Sequence, residues 1–387
     1  MLDFLGLLKG ALQNEAVPIS DELNMEWAEA QAKKHRILPL LYYGAVKCGF
    51  SPETEQMKRL FAATVRHAAI SAAQMKQVND VFAAFDDASI DYMPLKGTLL
   101  KQMYPAPEMR TMGDADILIR MEQYDRILPI MQRLGYQEKL ESDHELVWCK
   151  LNSYIELHKR LIPSYNKDYY AYFGDGWQLA KVKNGTRYTM TDEDQMIYLF
   201  AHYAKHYRDA GIGLNQILDI WVYRNNKPAL NETYIIQELE KLMLDQFYEN
   251  TLYTLATWFE GKEPTPVTEM ITSVIFHSGA YGMQEARILS SALKDIKKTG
   301  SVKRTRNRRF LEAVFLPHEE MLKKYQVLKK APVLLPLFWV VRIVDVLLFK
   351  REKISATKKE YIMTSKRNVD AYSEALRFVG LAYNFKE

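Results

Sequence analysis

With 387 residues, 48% of them hydrophobic and 26% charged, the chain has an ordinary globular composition and room for two domains at roughly 150 residues each. A net charge of +4 excludes a protein that holds polyanions by bulk electrostatics. Two cysteines, Cys48 and Cys149, exclude a disulfide framework and lack metal-ligand spacing, so a reducing cytoplasm is the expected home.

The segment from Met1 to Lys9 has no basic region leading into an apolar core with a small-residue cleavage site, so no secretory signal is expected. Residues 1–90 read as helices. One is expected over Glu22–Cys48, starting at Ser20-Asp21, where side-chain oxygens can cap free amides. A second runs from Thr54 to Phe85, rich in the helix formers Ala, Gln, Met and Lys. A short strand follows at Ile90–Leu95, then a turn at Lys96-Gly97-Thr98 and a helical stretch, Leu99 to Tyr104, ended by Pro105 and Pro107. Asp114–Arg120 is the second strand, and Gln123–Leu134 is a helix closed by Gly135. Glu145–Leu151 and Ser153–Leu157 read as a hairpin. The tyrosines Tyr165, Tyr169, Tyr170 and Tyr172 read as a loop packed on the domain. Beyond Asp192 the helices Glu193–Arg208, Gly213–Asn225, Asn231–Glu260 and Val267–Phe276 are expected.

These elements predict an α+β fold: a small mixed β-sheet core flanked by helices, with an N-terminal helical segment and a mainly helical C-terminal half. The expected divisions are 1–88 (helical, packed on the core), 89–190 (the core), 191–300 (helical) and 301–387 (a basic linker and C-terminal helices). Eight cations between Lys294 and Arg309, with Asp295 alone among them, read as a solvated linker or helix face. The apolar stretch from Ala331 to Phe349 is almost long enough to cross a bilayer, but Pro332, Pro336, Arg342 and Asp345 oppose a span. A helix over 337–349 is expected, buried mostly against the protein's own helices, with Arg342 and Asp345 reaching a partner or solvent and sharing a face on which they can pair; the other reading of 331–349 is peripheral membrane contact.

The chemistry concentrates around Gly113-Asp114-Ala115-Asp116-Ile117-Leu118-Ile119. On a strand, residues i and i+2 share a face, so Asp114 and Asp116 present two carboxylates side by side. Like charges that close are costly without a cation, and an all-oxygen pair suits Mg²⁺ with a phosphorylated substrate. The acid-x-acid triplet alone says little: it recurs at Glu141-x-Asp143, Asp143-x-Glu145, Asp192-x-Asp194 and Glu238-x-Glu240. The apolar strand around Asp114 and Asp116 carries the information. Gly97 lets a backbone approach a phosphate, Thr98 opens the following helix, and Lys96 and Arg110 can neutralise phosphate charge. Because two repelling carboxylates would lie together, Asp116→Asn is expected to leave folding intact.

The run Pro-Leu-Lys-Gly-Thr, Tyr-Pro, Arg and Met-Gly-Asp-Ala-Asp-Ile-Leu-Ile resembles the active-site signature of the DNA polymerase β-like nucleotidyltransferase superfamily, most closely its bacterial nucleotidyltransferase family proteins. The resemblance runs from about Met25 to about Asn225. It implies a third carboxylate, Glu156, in Tyr154-Ile155-Glu156-Leu157-His158-Lys159-Arg160, and with it His158. It also covers His202-Tyr203-Ala204-Lys205-His206 and Asp219-Ile220-Trp221. One departure is Thr98 at the second position of the Gly-Gly/Ser element.

The resemblance implies that Asp114, Asp116 and Glu156 hold Mg²⁺ or Mn²⁺, two ions in all. Lys96, Gly97, Thr98, Arg110 and Gly113 would take a nucleoside triphosphate such as ATP. His202 and His206 have zinc-ligand spacing, but the inner Glu of His-Glu-x-x-His is missing and no third ligand is evident. They read as a pair lining the cleft, with Asp219, or as a structural pair. The implied reaction moves a nucleoside monophosphate to a hydroxyl of an acceptor that is a small molecule, sugar or protein; long nucleic acid is not expected. The alternative is a non-catalytic or regulatory nucleotide-binding member, acting as a binding partner at the membrane surface.

Overall fold

Strands β1 (Tyr92–Pro94), β2 (Asp114–Ile119), β3 (Gln137–Glu141), β4 (Glu145–Lys150), β5 (Ser153–His158), β6 (Lys181–Asn184) and β7 (Arg187–Thr189) form one mixed sheet in the order β3-β4-β5-β2-β1-β7-β6. The computed structural model describes residues 1–151, 153–349 and 351–381. Strand β2 pairs in parallel with β5 and antiparallel with β1, in a register that sets Asp116 opposite Glu156. Side chains alternate across the sheet. Ala115, Ile117 and Ile119 of β2, Leu146 and Trp148 of β4, and Ile155 and Leu157 of β5 all enter one core. Val78, Phe82 and Phe85 of helix Glu55–Asp87 cover that face, with Ile127, Ile130 and Met131 of helix Tyr124–Arg133. Alternation therefore sends Asp114, Asp116, Glu145, Glu156 and His158 to the opposite face.

The strands expected at Ile90–Leu95 and Asp114–Arg120, the helix over Gln123–Leu134 and the later hairpin are present, with Gly135 left-handed (φ 85°) after helix Tyr124–Arg133. Elsewhere the structure differs in identifiable ways. The single helix expected over Glu22–Cys48 is two, Met25–His35 and Leu38–Lys47, divided where Arg36 turns left-handed at φ 59°. The cap is Asn24, whose side chain accepts from the Trp27 amide at 2.9 Å, rather than Ser20-Asp21. A further helix, Leu2–Gln13, lies so close to Leu38–Lys47 that a Cβ on Gly44 would stand 2.0 Å from the Leu7 carbonyl oxygen. The helix expected over Asn231–Glu260 is also two, Glu232–Lys241 and Asp245–Phe259, separated by the left-handed Met243 (φ 54°). Three of the four tyrosines expected in a loop lie on helix Lys167–Phe173.

The chain divides into two compact units: Met1–His206 with Ile212–Tyr281 and the chain from Val379 on, and Tyr207–Gly211 with Gly282–Phe378. In the second unit the basic run is no linker but lies on helices Gln284–Thr299 and Val302–Val314, where Arg309 meets Asp295 at 2.8 Å and Glu360 at 3.3 Å. Helix Leu335–Phe349 is present, but its expected burial is not: Val340, Val344 and Leu348 are 57%, 47% and 64% exposed. Arg342 and Asp345 each reach a partner, as expected, though not each other. Arg342 donates to the Val314 and Ala313 carbonyls at 2.7 and 2.9 Å, and Asp345 meets Lys324 at 3.2 Å. The last carbonyls of a helix have no partner within it and carry the negative end of its dipole, so they accept well from a guanidinium.

In the first unit, helix Leu214–Asn226 is fixed to the sheet by charge. Asp219 accepts from Arg110 Nη2 at 2.8 Å and Nε at 3.2 Å, and from the Tyr104 hydroxyl at 2.9 Å. Both ionic side chains are largely buried. Asp219→Ala would leave a buried guanidinium without its carboxylate and is expected to reduce stability by about 3–5 kcal/mol. Arg110→Met combined with Asp219→Leu should recover most of that loss. Urea unfolding of the three proteins checks the pair, and equal midpoints for wild type and Asp219→Ala would show that Arg110 does not depend on it.

Candidate active site

The sheet face opposite the core forms the floor of a cleft of about 810 Å³. Lys96, Gly97, Arg110, Gly113, Asp114, Asp116, Glu156, His158, His202, His206 and Asp219 all line it. Asp116 is 6% exposed and is neutralised from two sides. Lys96 Nζ donates to its Oδ1 at 2.9 Å, and His158 Nε2 lies 2.8 Å from the same oxygen. His158 Nε2 also lies 3.6 Å from Glu156 Oε2. Lys96 reaches Asp116 from the turn after β1, where its own backbone takes a positive φ of 39°.

The two aspartates sit one residue apart in opposite electrostatic states. Burial raises the Asp114 carboxyl, the negative charge of Asp116 and Glu156 raises it further, and it is pushed up to about 7. Burial acts the same way on Asp116, but Lys96 and His158 outweigh it and hold that carboxyl well below the usual range. Burial alone would lower the His158 imidazole, yet its hydrogen bonds to Asp116 and Glu156 raise it. Lys96 is likewise driven up by Asp116 against the effect of its burial. Carboxylates whose ionisation is pushed apart within one site mark a place of chemical use.

Whether these residues suit a divalent cation turns on Asp114. Burial, and then the negative charges of Asp116 and Glu156, push its carboxyl up to about 7, so its ionisation beside them is unfavourable. A cation between the carboxylates would offset that cost, and hard oxygen donors suit Mg²⁺ or Mn²⁺. Asp116, Glu156 and His158 bring one ligand atom each within 4.8 Å of one another, and His144, Glu145 and His158 do the same. The donor set fits.

Other expected residues take more specific places. Gly97 faces the cleft, and a Cβ there would stand 3.1 Å from both Arg110 Nη1 and Met112 Sδ. The Thr98 hydroxyl instead donates to the Leu95 carbonyl at 2.7 Å, buried behind the turn. Asp219 orients Arg110 rather than joining the histidines. His202 and His206 approach at 3.0 Å between their Nε2 atoms, and burial, then Lys96, pushes His202 well below its ordinary value.

Sequence reasoning missed His144, Glu145 and Lys101. Glu145 and His144 are joined at 2.8 Å beside His158. With Leu146 and Trp148 in the core, alternation alone would have assigned Glu145 to the cleft face. Lys101 is buried, donates to the Arg110 carbonyl at 3.0 Å and is lowered to about 8 by burial and by Arg110. Nothing in its local sequence separates it from a surface lysine.

A family model described as an uncharacterised nucleotidyltransferase matches residues 21–260. No curated protein matches the chain. The solution structure of the antibiotic-resistance factor ANT(2'')-Ia is similar at 11% identity and a TM-score of 0.32, over 50% of this chain and 100% of that one, a likeness too slight to argue from. The family match covers more than half of the sequence and contains the whole sheet and the cleft floor. The chain therefore belongs to the uncharacterised nucleotidyltransferase family, and the class of its reaction is nucleotidyl transfer.

Proposed function

We propose that the protein moves a nucleoside monophosphate from a nucleoside triphosphate to a hydroxyl of an acceptor, using Mg²⁺ or Mn²⁺ held by Asp114, Asp116 and Glu156. The acceptor oxygen bonds to the α-phosphorus, the α–β bridging bond breaks, and pyrophosphate leaves. The supporting observation is the convergence of three carboxylates on a cleft floor that also carries Lys96 and Arg110. Two ions, when bound, supply charge neutralisation for the triphosphate and ease ionisation of the acceptor hydroxyl.

The chain's own residues account for the remainder. Lys96 and His158 fix the orientation of Asp116. Glu156, on the adjacent strand, is suited to hold the acceptor's proton. Gly97 permits close backbone approach of the phosphates, and Lys96 and Arg110 oppose the charge that develops on them. Asp219 and Tyr104 keep Arg110 aimed. A cleft of about 810 Å³ suits a nucleotide with a small acceptor or a single protruding group of a larger one. Residues outside 282–378 hold 30 Lys and Arg against 38 Asp and Glu, which disfavours long nucleic acid on this part of the chain.

The contrast between the aspartates reverses the folding expectation for Asp116→Asn. Repulsion resides at Asp114, whereas Asp116 is held by attraction. A raised carboxyl contributes stability that is full below its unfolded value of about 4 and is lost as pH rises through about 7. A depressed one contributes stability above its unfolded value. At about pH 8, without metal, Asp114→Asn is therefore expected to melt above wild type and Asp116→Asn below it. Both should reduce label transfer from α-labelled triphosphate at least about a hundredfold. Wild-type turnover in Asp114→Asn would refute the role of that carboxylate.

Metal binding should also displace the Asp114 proton. Titration calorimetry of Mg²⁺ at about pH 6, in buffers of different ionisation enthalpy, should report close to one proton released. At about pH 8.5 the release should vanish, since the carboxyl is already ionised. Release independent of pH would separate Asp114 from the ion.

The turn after β1 supplies the nucleotide test. Gly97→Val should weaken triphosphate binding at least about tenfold, because its side chain would press on Arg110 and Met112. Thr98→Val should leave that affinity unchanged, its hydroxyl being bound to Leu95. Fluorescent-nucleotide titration checks both, and the reverse order would move the phosphates to the Thr98 side of the turn.

A further inference from the structure

The C-terminal unit carries a surface that nucleotidyl transfer does not use. Helix Leu335–Phe349 belongs to an 18-residue stretch, Pro332–Phe349, with a mean hydropathy of 2.1. Its two charged side chains both have partners in the unit: the buried Arg342 donates to the carbonyls that end helix Val302–Val314, and the part-exposed Asp345 pairs with Lys324. Trp339 is tied on the same side, its indole N–H donating to the Leu316 carbonyl at 3.0 Å. The outward stripe is wholly aliphatic. Leu337, Val340, Val341, Val344 and Leu348, spaced at three and four residues, are each 45% to 64% exposed. An ordinary surface helix does the reverse, with charges outward and apolar residues inward.

The charge of the surrounding unit indicates what covers this stripe. Residues 282–378 hold 22 Lys and Arg against 10 Asp and Glu, a net +12 in a chain whose total is only +4. Exposed Lys329 and Lys330 precede the apolar stretch, and in sequence Lys350 and Arg351 follow it. An aliphatic stripe within a strongly basic unit matches the interface of an anionic bilayer, where apolar residues enter the acyl boundary and cations meet headgroup phosphates. A second copy of the chain would bring two units of +12 together. A nucleic acid would find neither donors nor aromatic platforms on the stripe. A spanning orientation would require Arg342 and Asp345 to leave the backbone and lysine that hold them and enter hydrocarbon.

We infer that the C-terminal unit docks on anionic membrane surfaces through the outward face of helix Leu335–Phe349, lying in the interface plane. The inference is independent of the reaction proposed above.

Co-sedimentation of the full-length protein with vesicles tests it. Binding is expected to vesicles of phosphatidylglycerol and phosphatidylcholine in equal parts, at least about tenfold stronger than to phosphatidylcholine alone, and to weaken as salt is raised. The double variant V344E/L348E should lose at least about tenfold in binding while keeping the wild-type melting temperature and transfer activity. If the double glutamate variant does not fold, V344S/L348S carries the same comparison. Undiminished vesicle binding in these variants, or equal binding to neutral vesicles, overturns the inference. A wild-type dimer in sedimentation that becomes monomeric in V344E/L348E would assign the stripe to a second copy instead. Binding to duplex or single-stranded oligonucleotide with none to vesicles would assign the charge to nucleic acid. Release of the chain from cell membranes by detergent but not by salt and carbonate would make the helix a span.

Discussion

The neutralisation of Asp116 is the constraint on which the cleft depends. An ionised carboxylate this deeply buried costs several kcal/mol unless partners compensate it, and removing one partner from such a set is strongly destabilising. Its two partners come from different parts of the sequence, Lys96 from the turn after β1 and His158 from the end of β5. The three side chains therefore lock turn, central strand and neighbouring strand into one register. Lys96 holds this position at a positive φ that costs a residue other than glycine about 1–3 kcal/mol. The amides of Leu99 and Leu100, which donate to its carbonyl at 3.0 and 2.9 Å, help keep the turn in place. Strain at this point is a consequence of bringing an ammonium to a buried carboxylate by the shortest route.

With Asp116 held by Lys96 and His158, Asp114 is the carboxyl whose ionisation its neighbours oppose. The division has a functional logic. A floor on which every carboxylate repelled its neighbours would be poorly ordered, and one on which every carboxylate was paired would have nothing to offer a cation. Here one aspartate is held ionised by its partners, and the other, pushed up to about 7, would gain most from the proposed cation. Environment, not residue type, sets the two apart.

Much of this was legible in the sequence where the physics is local. Same-face spacing identified Asp114 and Asp116, and hydrophobic alternation identified β2. Glu156 was accessible only through family resemblance, because its position opposite Asp116 is a matter of strand register across 40 residues. The helix break at Met243 was not legible, since neither glycine nor proline marks it, whereas Pro39 in the first turn of helix Leu38–Lys47 is a local signal for the break at Arg36. The orientation of helix Leu335–Phe349 failed for a related reason. Its spacing defined an apolar stripe, but which way the stripe faces depends on carbonyls offered by a different helix.

The uneven distribution of charge bears on how the cleft can hold its substrate. Outside residues 282–378 the chain is net acidic, so the far field there opposes a triphosphate. Binding must then come from charges at short range in a partly desolvated site, where pairwise attraction is less screened. In the proposed reaction Lys96 and Arg110 would supply them, but each already faces a carboxylate of the protein. Neither can offer its full charge to a phosphate without sharing it. A cation held by Asp114, Asp116 and Glu156, as proposed, would add positive charge of its own beside these pairs. Metal and nucleotide should therefore bind cooperatively, each weak without the other, as a direct consequence of committing the cleft's own cations to fixing its architecture.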